Sequence, residues 1–120
     1  MSMDNTNKTE KDKDGVYNKP EVKPVYPGGE AALSKFIGDN INYPQDAIDQ
    51  NVEGTSTISF IVDEKGMVTK PMLSGQGTGH GLDDEAMRVV AKMPEWKPGM
   101  VKGRAVKTRM LLPVTFKLSE

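Results

Sequence analysis

Ala105-Val106-Lys107-Thr108-Arg109-Met110-Leu111-Leu112-Pro113-Val114-Thr115-Phe116-Lys117-Leu118 is the stretch on which the fold turns. Val106, Met110, Leu112, Val114, Phe116 and Leu118 fall on even positions, and only Thr108 breaks the set. A two-residue period of this kind marks a strand with one face against a core. Fully extended, the stretch would span roughly 46 Å at about 3.3 Å per residue, whereas an ordinary strand has about five or six residues. It must either bend at Pro113 or project beyond its neighbour.

The neighbours lie earlier in the chain. Ile58, Phe60 and Val62 alternate with Thr57, Ser59 and Ile61, forming the first arm of a hairpin. Asp63-Glu64-Lys65-Gly66 is its loop, with Gly66 supplying a positive φ. The second arm, Met67 to Ser74, carries Val68 and Leu73 and is interrupted by Pro71. Proline is confined to edge strands and bulges. The second arm and the last strand each hold one and the first arm holds none, so the first arm takes the centre. The reading predicts an α+β fold: a three-stranded antiparallel sheet, order 2-1-3, helices packed on one face, and chain order α-α-β-β-α-β. Its core is Ile58, Phe60, Val62, Leu73, Met110, Leu112, Val114 and Phe116.

Three helices fit around it. Leu33, Phe36, Ile37 and Ile41 recur at helical spacing after the Pro27-Gly28-Gly29 turn. Tyr43-Pro44 opens a second helix, with Pro44 in its first position, and Gly54 stops it. Leu82, Ala86, Val89, Val90 and Met93 line one side of a third, with Asp83 as N-cap and Pro94 as terminator. Trp96-Lys97-Pro98-Gly99 reads as a turn whose Trp96 plugs the core.

Composition bounds the function. The 120 residues make one domain, 36% hydrophobic and 28% charged, with a formal charge of −1. No apolar run reaches membrane-spanning length, and no signal peptide opens the sequence as written. Cysteine is absent and histidine occurs once, which excludes disulfides, thiolate sites and multi-histidine metal centres. Residues 1–21 are polar apart from Val16, Tyr17 and the methionines, and read as a flexible leader; residues 22–120 are the domain. Between Lys92 and Lys117 stand seven bases and one acid, a candidate basic docking surface.

Pro113 constrains the hydrogen bonding as well. Successive residues of a strand turn their N–H and C=O groups to opposite sides. If Pro113 faces solvent, Lys107, Arg109 and Leu111 present their N–H groups outward, while Thr108, Met110 and Leu112 pair inward. The last strand then has a free edge. Such an edge either receives another strand or is guarded against its own copies by Lys107, Arg109 and Pro113. Both uses fit the residues alone.

A set of separate pieces recurs in one order along the chain. It starts with Pro27-Gly28-Gly29-Glu30-Ala31-Ala32-Leu33, Phe36-Ile37 with Asn40, Tyr43-Pro44 with Ala47, and Gly54 with Ile58-Ser59-Phe60-Ile61-Val62. It continues through Gly66, Val68, Leu82-Asp83-Asp84-Glu85-Ala86, Met93-Pro94-Glu95-Trp96-Lys97-Pro98-Gly99, Gly103 and Leu112-Pro113-Val114-Thr115-Phe116. In these pieces the chain resembles a known family, the TonB C-terminal domain, in the variety common in the Bacteroidetes. The likeness covers about Val25 to Leu118. Ser56 and Pro71 depart from the family's usual aliphatic residues. The resemblance implies a periplasmic module of an energy transducer, normally tethered to the inner membrane. It implies docking of a short segment, the TonB box, of outer-membrane transporters onto the last strand by strand addition. It carries the partner-binding residues onto Lys107, Thr108, Arg109, Met110 and Leu111. Contact with the inner-membrane motor complex would come only through a region N-terminal to this sequence. A homodimer through the same strand is the alternative. No enzymatic activity, nucleic acid, cofactor or metal is expected.

Two other signals carry little. Gly75, Gly77, Gly79 and Gly81 miss the phosphate-loop spacing, and Asp83, Asp84 and Glu85 put negative charge where a phosphate would sit. Ser74, His80 and Asp83 supply the atoms of a hydrolase triad but crowd one loop with nothing to hold the geometry.

Overall fold

A computed structural model describes residues 10–118. Its elements, in chain order, are β1 (Val16–Tyr17), α1 (Glu30–Asn40), α2 (Gln45–Asp49), β2 (Gly54–Val62), β3 (Val68–Leu73), α3 (Leu82–Ala91), β4 (Gly99–Val101) and β5 (Arg104–Phe116). The sheet runs β1-β5-β2-β3, with β4 also paired to β5. Its centre is the expected one: β2 lies between β3 and β5, antiparallel to both. Two strands correct the expected three-stranded antiparallel sheet. β1 pairs parallel to β5, which makes the sheet mixed, and β4 forms a hairpin with it. β1 falls inside the polar stretch read as leader, where two apolar residues are too few to show a period. β4 hides behind Pro98-Gly99, which looks like a turn.

The great length of β5 is resolved by projection. It pairs with β2 from Thr108 to Phe116, and its overhang at Arg104–Val106 folds onto β4. Lys102 (φ 53°) and Gly103 (φ 76°) form the turn between them, both left-handed as a two-residue hairpin of this twist requires. Proline in β3 has its own accommodation. Lys70 sits at φ 54° and the β2–β3 register shifts between Ser59 and Ile61, so Lys70 and Pro71 form a bulge opposite Phe60.

The even-numbered face of β2 and β5 meets the helices. Ile58, Phe60, Val62, Val114 and Phe116 are buried with Leu82, Ala86 and Val90 of α3 and with Trp96. Leu73, Met110 and Leu112 are half-buried and pack against that cluster. Thr108 interrupts the apolar set because β4 crosses close over it: a Cβ on Gly99 would collide with the Thr108 hydroxyl, itself 1% exposed.

Three local expectations are corrected by contacts that a sequence window does not reach. Asp83 is not the N-cap of α3; Gly81 is, at φ 85°. The Asp83 carboxylate instead accepts from the Thr78 and Gly79 N–H groups and from the Thr78 and Ser56 hydroxyls. This ties the glycine loop to β2. Burial alone would raise its pKa, but those donors outweigh burial and hold it below the ordinary carboxylate value. Pro44 is the N-cap of α2 rather than its first residue, and Asn51 at φ 55° follows its end, while Gly54 opens β2. Trp96-Lys97-Pro98-Gly99 is not a closed turn: Lys97 bridges Val25, and Gly99 begins β4. Trp96 does plug the core, and its backbone N–H donates to the Gly66 carbonyl at 2.7 Å.

Gly66 combines φ 85° with a close approach, because a Cβ there would strike the Trp96 carbonyl oxygen. Gly66→Ala is expected to cost about 3 kcal/mol or more in urea unfolding. Asp83→Asn should cost roughly 1–3 kcal/mol at neutral pH by weakening the hydrogen bonds from Ser56, Thr78 and Gly79. Asp83 has a folded pKa below its ordinary 3.8, so its contribution is present above that value and is lost as pH falls through the folded one. The gap between wild type and Asp83→Asn should therefore shrink in unfolding curves taken at successively lower pH.

Candidate functional site

The direction of the backbone groups along β5 follows from its neighbours. The Ser74 N–H donates to the Thr57 carbonyl at 2.8 Å, and the Thr69 hydroxyl to the Ile61 carbonyl at 3.3 Å. Odd residues of β2 thus turn their polar groups toward β3, and even residues toward β5. Thr57 stands opposite Pro113. Pro113 therefore occupies a position where no N–H toward β2 is due, and Lys107, Arg109, Leu111 and Thr115 turn theirs outward.

That outward flank is only partly open. β1 lies along it, with Val16 opposite Lys107 and Tyr17 opposite Thr108. The edge expected to be free is thus covered at its N-terminal end by residues expected to be a flexible leader. Past Tyr17 the chain swings away to pair Val22 with Met100 and Val25 with Lys97. Among the described residues no strand pairs with β5 on this flank beyond Thr108.

Two hollows lie beside β5 along this course. One, of about 440 Å³, is bordered by Asn18, Pro20, Lys23 and Pro24 and by Thr108–Leu111. The other, of about 610 Å³, reaches from Met110–Pro113 to Leu33 of α1 and to Tyr26 and Trp96. Its walls are largely apolar, and Trp96 Nε1, buried, has no hydrogen-bond partner.

The five residues singled out from sequence divide among separate environments. Lys107 is half-buried and paired to β1. Thr108 is buried between Tyr17 and Val62. Met110 points into the core side opposite Phe60. Arg109 reaches back to Asp12, whose carboxylate its Nη2 approaches at 3.5 Å. Leu111 is 60% exposed, the most open large apolar side chain among the described residues. Sequence reasoning passes over Asp12, Val16 and Tyr17, which share this flank. The signal that could have found them is Asp12-Lys13-Asp14-Gly15, a turn-forming run directly before the two apolar residues.

The opposite edge of the sheet is less hospitable. β3 is bent by the Lys70–Pro71 bulge, a feature that discourages strand pairing. The triad candidates are not brought together either. His80 Nδ1 lies 2.8 Å from Asp46, and Asp83 is engaged by the loop and Ser56.

The profile of the family described as Gram-negative bacterial TonB protein C-terminal matches residues 39–118. The chain belongs to the TonB C-terminal domain family. The match covers β2 to β5 whole and begins within α1, so Pro27-Gly28-Gly29-Glu30 and β1 lie outside it. No curated protein matches the chain. TonB C-terminal domains are non-enzymatic modules of interaction and transport-energy transduction, working with outer-membrane transporters. No helix among the described residues is long and apolar enough to cross a membrane.

Amide exchange reads the backbone directions directly. Met110, Leu112 and Val114, facing β2, should exchange at least about a hundredfold more slowly than Leu111 and Thr115, whose N–H groups face outward. Equal protection along β5 would refute the assignment.

Proposed function

We propose that this TonB C-terminal domain docks an extended transporter segment, the TonB box, by strand addition to the outward flank of β5. The observation that carries the reading is the outward turn of the odd-numbered N–H groups, with no strand alongside beyond Thr108 among the described residues. The guest would pair with Lys107 to Leu111, Thr108 and Met110 contributing through the side chains that hold this part of β5 in place.

A docked segment gains about three to five backbone hydrogen bonds, each worth roughly 0.5–1.5 kcal/mol net. Apolar side chains on the guest's helix-side face would add burial in the hollow beside Trp96, and those on its other face against Leu111. Lys23, Lys107 and Arg109 set the local charge and favour an acidic guest, more through encounter rate than through final affinity. The module would work in the periplasm. Coupling to an inner-membrane motor would require a tether N-terminal to this domain.

The test is a titration with the synthetic peptide Asp-Thr-Val-Thr-Val-Thr-Glu, which is β-prone and acidic, followed by backbone amide shifts. Shifts centred on Lys107, Arg109 and Leu111 are expected; none at millimolar peptide would end the proposal. Arg109→Glu should weaken binding by about tenfold at low salt and by much less at high salt. Sedimentation of the peptide-free protein across a concentration series addresses the alternative. A tight dimer that buries β5 would leave the peptide no edge.

A further inference from the structure

Residues 11–17 form a closed unit on the flank of β5. The Asp12 N–H donates to the Val16 carbonyl at 2.8 Å, and the Gly15 N–H to the Asp12 carbonyl at 3.0 Å. The Asp12 carboxylate accepts from the N–H groups of Asp14 at 2.8 Å and Val16 at 3.0 Å. Gly15 takes φ 81°, and Lys11 bridges back to Tyr17. The segment is a tight turn whose returning arm is β1.

Two attachments hold this turn to β5. One is the parallel pairing at Lys107 and Thr108, anchored by Val16, which is only 3% exposed. The other is the Arg109–Asp12 ion pair. Both use the positions at which a guest strand would dock. Val16 is a β-branched apolar side chain, and Asp12 brings a carboxylate to Arg109. These are the features that an acidic, β-prone guest would offer.

We propose that residues 11–17 are a built-in competitor for the docking edge, a surrogate strand that a guest must displace to pair in full. The proposal rests on the strand-docking reading of β5 given above. Its stepwise form follows from the geometry. Among the described residues no strand pairs with this flank beyond Thr108, so a guest can first pair near Leu111 and then extend toward Lys107 as β1 leaves. The surrogate is short, and the entropy of ordering it opposes its few contacts. Its advantage is attachment to the same chain, which gives it a high effective concentration. The apparent affinity for any guest is then reduced by the fraction of molecules whose edge is uncovered.

Two variants of the 120-residue chain test this. Val16→Asp removes the buried anchor, and Asp12→Ala removes the centre of the turn and the partner of Arg109. Without peptide, both should lose exchange protection at Lys107 and Arg109 while Met110 and Leu112 keep theirs. Titrated with Asp-Thr-Val-Thr-Val-Thr-Glu, both should bind about three- to tenfold tighter than the wild type. Unchanged affinity in variants that have lost the protection would overturn the competitor and leave strand docking intact. Protection at Lys107 and Arg109 that neither variant reduces would show that residues 11–17 do not occupy the edge, and would overturn it as well. Failure of wild type and both variants alike to bind would overturn strand docking and the competitor together.

Discussion

Pro113 can donate no backbone hydrogen bond, so the ladder between β2 and β5 has to set it where none is due. That single requirement fixes which residues of β5 face β2 and which face away. It places Met110, Leu112, Val114 and Phe116 over the helices through the side-chain alternation that accompanies the backbone one. It leaves the odd positions with outward amides and with side chains on the face the helices do not cover. The core and the candidate docking edge are thus two results of one register. A slip by one residue would expose the first and bury the second.

The rest of the domain holds that ladder in place. Gly66 and Trp96 join the β2–β3 turn to the segment before β4. Asp83 joins the glycine loop to the buried face of β2 through Ser56. Glu85 and Arg88 reach from α3 to the link between α1 and α2, where the Asn42 N–H donates to Glu85 and Arg88 donates to the Asn40 carbonyl. The Arg88 hydrogen bonds lead in holding the Glu85 pKa below its ordinary value, against the opposing effect of burial. None of these fastenings uses a backbone group of β5.

What is legible in the sequence follows from length. β2, β3, α3 and β5 are long enough to show their periods, and the two prolines order the three long strands correctly. β1 has two residues and one buried side chain, so no period can reveal it; its cause is the Asp12 turn, a local polar feature set in disordered-looking composition. β4 is three residues beginning at a glycine. The role of Asp83 escapes a sequence reading because capping preferences are local, whereas its hydroxyl partner Ser56 lies 27 residues away in the chain. For the site, the direction of the β5 amides can be argued from Pro113 alone. Its partial occupation by residues 11–17 cannot, because it depends on a contact between Asp12 and Arg109, 97 positions apart.

The leader strand also sets where mechanical load would enter the fold. A pull along the chain from its N-terminal side reaches residues 11–17 before any part of the helical core. The two-residue ladder of β1 and the Arg109–Asp12 contact would part first, then the single bridges at Val22 and Val25. The long β2–β5 ladder lies downstream of all of them. Tension would therefore bare the candidate docking edge while β5 stays seated on β2, as a peel-away cover does.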